Sequence, residues 1–135
     1  MIVDIVSPSG RVFNGEATRV KAPGVEGSFE VLKNHAPMIA AIEVGTIVVT
    51  GFDGNPITIA TSGGFVEVQN NTVSVVAETA ELASEIDVER AKAAEQRAVE
   101  ALANADPQVK ATMEAALERA RNRVRVAMGS VGTSR

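Results

Sequence analysis

The chain reads as an antiparallel β-sandwich followed by an antiparallel hairpin of two α-helices, a β + α organisation whose character changes near residue 84. Nine of the eleven Gly and four of the five Pro lie at or before Gly64, dividing that region into short runs rich in Val, Ile and Thr. That is the pattern of short strands between tight turns. From Glu85 to Met128 there is no Gly, one Pro and twelve Ala in a charged, leucine-poor stretch, which favours helix. The expected divisions are a sandwich over 1–84, a helical hairpin over 85–129 and a flexible tail over 130–135.

Eight strands are expected: Ile2–Val6, Ala17–Lys21, Ser28–Leu32, Met38–Glu43, Thr46–Gly51, Pro56–Ala60, Gly64–Val68 and Thr72–Ala77. Such short strands in rapid succession close into a sandwich or flattened barrel. Asp53-Gly54 supplies positive φ for a hairpin turn, and Asn70-Asn71 does the same further on. Ser62-Gly63-Gly64 precedes a strand, so a bulge is expected there and not a phosphate-binding loop. In the helical part, Ser84 and Asp87 form a capping box ahead of a helix from about Ile86 to Leu102. Asp106 then caps a second helix with Pro107 at its first position. That helix runs to about Met128, with Gly129 just past its end.

The apolar faces are narrow: Ala91, Ala94, Ala98, Ala101 and Leu102 on the first helix, and Val109, Met113, Ala116, Leu117, Ala120, Val124 and Met128 on the second. Alanine removes little area from water, at roughly 25 cal/mol per Å², so the hairpin is marginally stable alone. An appendage of that kind opens or repacks at low cost.

Composition narrows the function. The 135 residues leave no room for a substrate domain beside a cofactor domain. With no Cys and one His, no zinc cluster, thiol nucleophile or His-pair metal site is expected. His35 has no paired nucleophile, so no catalytic residue is assigned. Four Phe with no Trp or Tyr argue against base-stacking platforms, and a net charge of −4 argues against nucleic-acid binding. The N-terminus lacks the pattern of a secretion signal, and the sequence has no stretch of about 20 apolar residues. Residues 1–84 carry nine acids and four Lys/Arg, whereas 85–135 carry eight acids and nine Lys/Arg. Any anion-binding role therefore belongs to the hairpin.

At the junction stands Ile86-Asp87-Val88-Glu89-Arg90-Ala91. Elsewhere are His35-Ala36-Pro37, the segment Ser62-Gly63-Gly64-Phe65-Val66-Glu67-Val68, Ala77 to Glu81, and the opening Asp4 to Pro8 with Val12-Phe13. Together, in order and over Met1 to about Met128, these resemble the ATP-responsive epsilon subunits of bacterial F-type ATP synthases. The chain departs from that family at Glu30 and Lys33-Asn34, where many members carry Gly and Pro-Gly.

The resemblance implies a non-catalytic central-stalk (rotor) subunit, peripheral on the cytoplasmic face of the bacterial plasma membrane. The implied partners are the gamma subunit, the c-subunit ring and the alpha/beta catalytic head, with membrane association only through the complex. The sandwich would couple ion-driven rotation of the c ring to ATP synthesis, and the hairpin would restrain ATP hydrolysis. No obligatory cofactor is implied; ATP is the candidate regulatory ligand, at Glu81, Ile86, Asp87, Arg90, Ala91, Arg97, Arg119 and Arg123. Guanidinium forks suit phosphate oxygens, and an antiparallel hairpin is expected to bring Arg119 and Arg123 opposite the start of the first helix. Candidates for c-ring contact are Glu26, Ser28, Glu30 and His35. Arg119, Arg121, Arg123 and Arg125 are candidates for the inhibitory contact with the head. The alternative reading is a free-standing ATP-sensing regulatory protein.

Overall fold

A computed structural model describes residues 1–131. It resolves two compact units that divide between Leu82 and Ala83.

The first unit contains ten strands: β1 (Ile2–Ser7), β2 (Gly10–Glu16), β3 (Arg19–Ala22), β4 (Phe29–Leu32), β5 (Met38–Ile42), β6 (Gly45–Thr50), β7 (Pro56–Thr61), β8 (Gly64–Gln69), β9 (Thr72–Ala77) and β10 (Ala80–Leu82). They form two five-stranded sheets, in the orders β2-β1-β9-β8-β5 and β10-β7-β6-β3-β4. All pairings are antiparallel except that of β1 with β9. Strands β2 and β10 go beyond the eight expected. The first is polar and contains glycine, and the second has only three residues, so neither carries a strong apolar alternation.

Alternate residues face inward and close a core of aliphatic side chains: Val3 and Ile5, Val20, Val31, Ile47 and Val49, Ile59, Val66 and Val68, Val73 and Val75. Each such side chain stabilises the fold by roughly 1.5–3 kcal/mol on leaving water. Phe13 and Phe29 are only partly buried against this core, in keeping with an interior that aliphatic residues fill.

Turn chemistry explains several departures from expectation. Asn70 and Asn71 both take positive φ, 52° and 59°, as a two-residue hairpin turn requires. The β6–β7 connection is longer, and only Gly54 is left-handed there, at φ 80°. Asp53 instead accepts hydrogen bonds from the N–H and Nδ2 of Asn55 at 3.0 and 3.1 Å. These bonds hold the Asp53 carboxyl below the usual aspartate range. In the loop before His35, Asn34 takes φ 63°, the conformation that glycine would otherwise supply. Its N–H donates to Asn71 Oδ1 at 2.8 Å, so the departure at Lys33-Asn34 keeps the turn. Gly64 is constrained by space: a Cβ there would meet the carbonyl of Val76 on the neighbouring strand.

The second unit begins with a 3₁₀ turn, Ala83–Glu85, followed by α1 (Val88–Ala103) and α2 (Lys110–Val131). Asp87 itself is the N-cap of α1, in an extended conformation with φ −77° and ψ 110°. Its Oδ1 accepts the Arg90 N–H at 3.1 Å, which satisfies one of the first-turn donors. Ser84 therefore does not cap: it lies inside the 3₁₀ turn, which closes through Ile86 N–H to the Ala83 carbonyl at 3.3 Å. Helix α2 also starts later than expected. Pro107 lies in a turn in which the Val109 N–H donates to the Asp106 carbonyl at 3.0 Å, and the α-helical ladder begins beyond it. At the far end Gly129 is helical and α2 continues to Val131. Of the tail expected over 130–135, residues 130 and 131 thus belong to α2, and 132–135 lie outside the described residues. Among the described residues, no helix is long and apolar enough to cross a membrane.

Candidate functional site

One ion pair marks the register of the hairpin: Arg121 Nε lies 3.4 Å from Glu95 Oε2. In an antiparallel pair of helices, this puts Arg119 level with Arg97 and Arg123 level with Ala93. The two arginines of α2 thus stand opposite the second and third turns of α1, farther from Asp87 than the sequence led us to expect. The last turns of α2 run beside the 3₁₀ turn at Ala83–Glu85, as that register requires.

The flanks follow from helix geometry. At about 100° per residue, Arg90 and Arg97 lie on one side of the seam residues Ala91, Ala98 and Leu102, and Glu95 lies on the other. On α2, Arg119 and Arg123 lie to one side of Leu117 and Ala120, and Arg121 to the other. Since Glu95 and Arg121 meet across the seam, Arg90, Arg97, Arg119 and Arg123 share the opposite flank. Of the other described acids within the two helices, Glu89 and Glu100 project away from the seam, and Glu114 and Glu118 lie on the Arg121 side of α2. Arg90, Arg97 and Arg119 are exposed and Arg123 is half-buried. The result is a basic strip spanning both helices, with the Asp87 carboxylate at its α1 end.

The remaining members of the ATP set have distinct places. Ile86 is buried just before the cap. Ala91 is fully buried, and its N–H donates to the Asp87 carbonyl at 2.9 Å. It therefore serves packing and the helix, and its N–H is not open to a base edge. Glu81 belongs to the other unit, half-buried on β10 and paired with Ala60.

Of the arginines assigned to the catalytic head, Arg119 and Arg123 are on the basic strip. Arg121 and Arg125 line a groove of ≈ 370 Å³ with Leu102, Glu114, Leu117 and Glu118. Arg125 Nη2 donates to Oδ1 of the buried Asn122 at 2.9 Å. None of the four strip arginines lines this groove.

The c-ring candidates do not converge. Glu26 and Ser28 are exposed in the turn between β3 and β4, and Glu30 is exposed on β4 opposite Lys21. His35 lies beyond the other end of β4, where its N–H donates to the Leu32 carbonyl at 3.1 Å and its Nδ1 donates to the Ala36 carbonyl at 2.7 Å. Four residues of strand separate the two ends, about 13 Å at roughly 3.3 Å per residue.

Three features of the structure go beyond the residues singled out in the sequence. Glu95 is one; it and Arg121 are equidistant from residue 108 in the interhelical turn, a symmetry legible once that turn is located. The buried Asn122 is another, and no periodicity marks it. The third is an apolar row on the outer face of the first sheet. Ala41, Phe65, Val76 and Val6 are successive cross-strand partners there, with Phe65 and Val76 each 59% exposed and Ile39 nearby at 73%. The alternation of β8, with Val66 and Val68 inward and Phe65 outward, carried that signal. Contiguous exposed apolar surface is of the kind that protein contacts cover.

A sandwich with an uncovered apolar row, joined to a hairpin whose charged groups sit on its flanks, defines a subunit of a larger assembly. Residues 1–83 match the family model "ATP synthase, Delta/Epsilon chain, beta-sandwich domain", and residues 84–128 match "ATP synthase, Delta/Epsilon chain, long alpha-helix domain". The chain belongs to this delta/epsilon family, whose members are non-catalytic subunits of the ATP synthase complex. It is 53% identical to the ATP synthase epsilon chain of Salinibacter ruber, covering 98% of this chain and 95% of that one. It is 44% identical to the epsilon chain of Desulforamulus reducens, covering 93% and 95%.

Among solved structures, it is similar to a chain of the Euglena gracilis mitochondrial ATP synthase OSCP/F1/c-ring assembly, with a TM-score of 0.79, 21% identity and coverage of 98% of this chain and 81% of that one. A chain of the Tetrahymena thermophila mitochondrial ATP synthase central stalk and c-ring gives a TM-score of 0.63 at 14% identity, covering 94% and 96%. At these identities the likeness is one of fold.

Proposed function

We propose that the chain is a rotor subunit in the central stalk of an F-type ATP synthase, at the cytoplasmic face of the membrane, and that its hairpin is a nucleotide-responsive brake on ATP hydrolysis. The sandwich docks on the gamma subunit through the apolar row centred on Phe65 and Val76. The turn carrying Glu26 and Ser28, with Glu30 beside it, meets the c ring. We leave His35 out of that contact because its loop is at the opposite end of β4. In this way the sandwich couples ion-driven rotation of the ring to ATP synthesis.

The brake reading rests on one observation: Arg90, Arg97, Arg119 and Arg123 share one flank of the hairpin. A bound triphosphate accepts charge-assisted hydrogen bonds from guanidinium groups of both helices. ATP therefore favours the closed hairpin. Without it the alanine-rich seam is weak enough for the helices to part and extend toward the catalytic alpha/beta head. Ile86, next to Asp87 in the chain, completes the proposed site at the base end. With no Gly-rich phosphate loop in the hairpin sequence, the affinity is modest, suited to sensing ATP and not to retaining it. The exposed apolar row favours this reading over a free-standing ATP sensor, which has no use for such a surface.

The test is a calorimetric and NMR titration of the full chain with ATP, using ADP and Arg123→Ala as controls. Saturable, ATP-selective binding that orders both helices is expected. Equal binding by Arg123→Ala and the parent would remove the proposed pocket.

A further inference from the structure

Arg121 and Arg125 stand off the basic strip, and each already has a polar neighbour within the hairpin. Arg125 is tied to Asn122, one turn away on its own helix. Arg121 differs, because Glu95 belongs to the other helix. Their ion pair exists only while α1 and α2 lie side by side. Glu114 and Glu118 line the same groove as Arg121, but they travel with it on α2 and cannot register whether the hairpin is closed. Glu95 is the one acid of that flank whose contact with Arg121 is made and broken by the hairpin itself.

We propose that Glu95 masks Arg121 in the closed hairpin and competes for it with an acidic protein surface on the catalytic head. Breaking this pair exposes the docking charge. The proposal rests on the inhibitory reading above and adds a second control, on the flank opposite the nucleotide strip. The pair suits such a role. Its side chains are 57% and 32% exposed, so water and salt contend with it, and a pair of this kind shifts an equilibrium by at most about fivefold. It biases the hairpin without locking it. Nucleotide bound on one flank and Glu95 on the other thus favour the same closed state independently, and Glu95 also hides a charge that the open state uses.

The first experiment uses the isolated full chain without nucleotide, with arginine-selective modification by phenylglyoxal mapped by mass spectrometry. In Glu95→Gln, Arg121 should react several-fold faster than in the parent, while Arg90 and Arg97 react at parental rates. An unchanged Arg121 rate overturns the mask. The second uses the assembled complex. Glu95→Gln should deepen inhibition of hydrolysis by up to about fivefold at low salt, the difference should fade at high salt, and adding Arg121→Gln should abolish it.

Parental inhibition in Glu95→Gln, or a deepening that persists in the double variant, overturns the competition. Failure of the broader reading is separately visible. If Arg121→Glu/Arg125→Glu complexes hydrolyse ATP no faster than the parent, these arginines do not dock on the head. The competition then falls even where the labelling shows a mask.

Discussion

The Asp87 carboxylate accepts the backbone N–H of Arg90 at 3.1 Å, so the acid assigned to the nucleotide base is also the residue that starts α1. The proposed nucleotide site and helix initiation thus share one side chain. Only Oδ1 is engaged by the cap, and Oδ2 remains for a ligand donor.

Replacing Asp87 separates the two roles. Asp87→Ala should destabilise α1 by about 1 kcal/mol, read as faster amide exchange in its first turns, and should weaken ATP binding. Asp87→Asn keeps a capping oxygen and should retain parental helix protection while ATP affinity changes. Equal loss of protection in the two variants would contradict the cap assignment.

The basic strip makes a quantitative claim. A charge-assisted hydrogen bond is worth about 1.5–3 kcal/mol, so Arg90→Ala and Arg123→Ala should each weaken ATP binding by roughly tenfold or more. Titration calorimetry at two ionic strengths checks this, since the parental affinity should also fall with salt.

The apolar row predicts a change in association without a change in folding. Phe65→Ser and Val76→Ser lie on an exposed sheet face, so stability should move by less than about 1 kcal/mol. Co-purification with the gamma subunit should drop sharply. Retention of gamma at parental stoichiometry would show that the row serves another surface.

Gly64 predicts the reverse pattern. It sits at φ 148° with the Val76 carbonyl where a Cβ would be. Gly64→Ala should cost about 2 kcal/mol or more, seen as a lower urea midpoint for the sandwich, while the hairpin's response to ATP persists in the protein that still folds.

At the β6–β7 turn, Asp53 is held ionised by its bonds to Asn55, so its folded pKa is depressed. Its contribution is present above the unfolded aspartate pKa and is lost as pH falls through the lower folded value. The Asn55 amide resonance should therefore titrate below the ordinary aspartate range, and Asp53→Asn should abolish that titration. A midpoint at the ordinary value would show that the Asn55 bonds do not persist in solution.

The sequence alone determined the two-part fold, because both signals are local. Gly and Pro break the backbone wherever they fall, alternation of Val and Ile selects a strand, and a glycine-free run rich in alanine selects a helix, all within a few residues of chain. The identities of the strip arginines were legible too, from their spacing on single helices and from the junction motif at Asp87. Tertiary structure decided what depends on residues far apart in the chain. The parallel pairing of β1 with β9 and the row that joins Phe65 to Ala41, Val76 and Val6 both follow from which strands become neighbours. In the hairpin, packing set the register that the Glu95–Arg121 pair marks, and that register put Arg119 and Arg123 beside the second and third turns of α1. Helical period fixes the direction in which each side chain leaves its own helix, but it does not fix the partner helix's height or flank, and only packing supplies those.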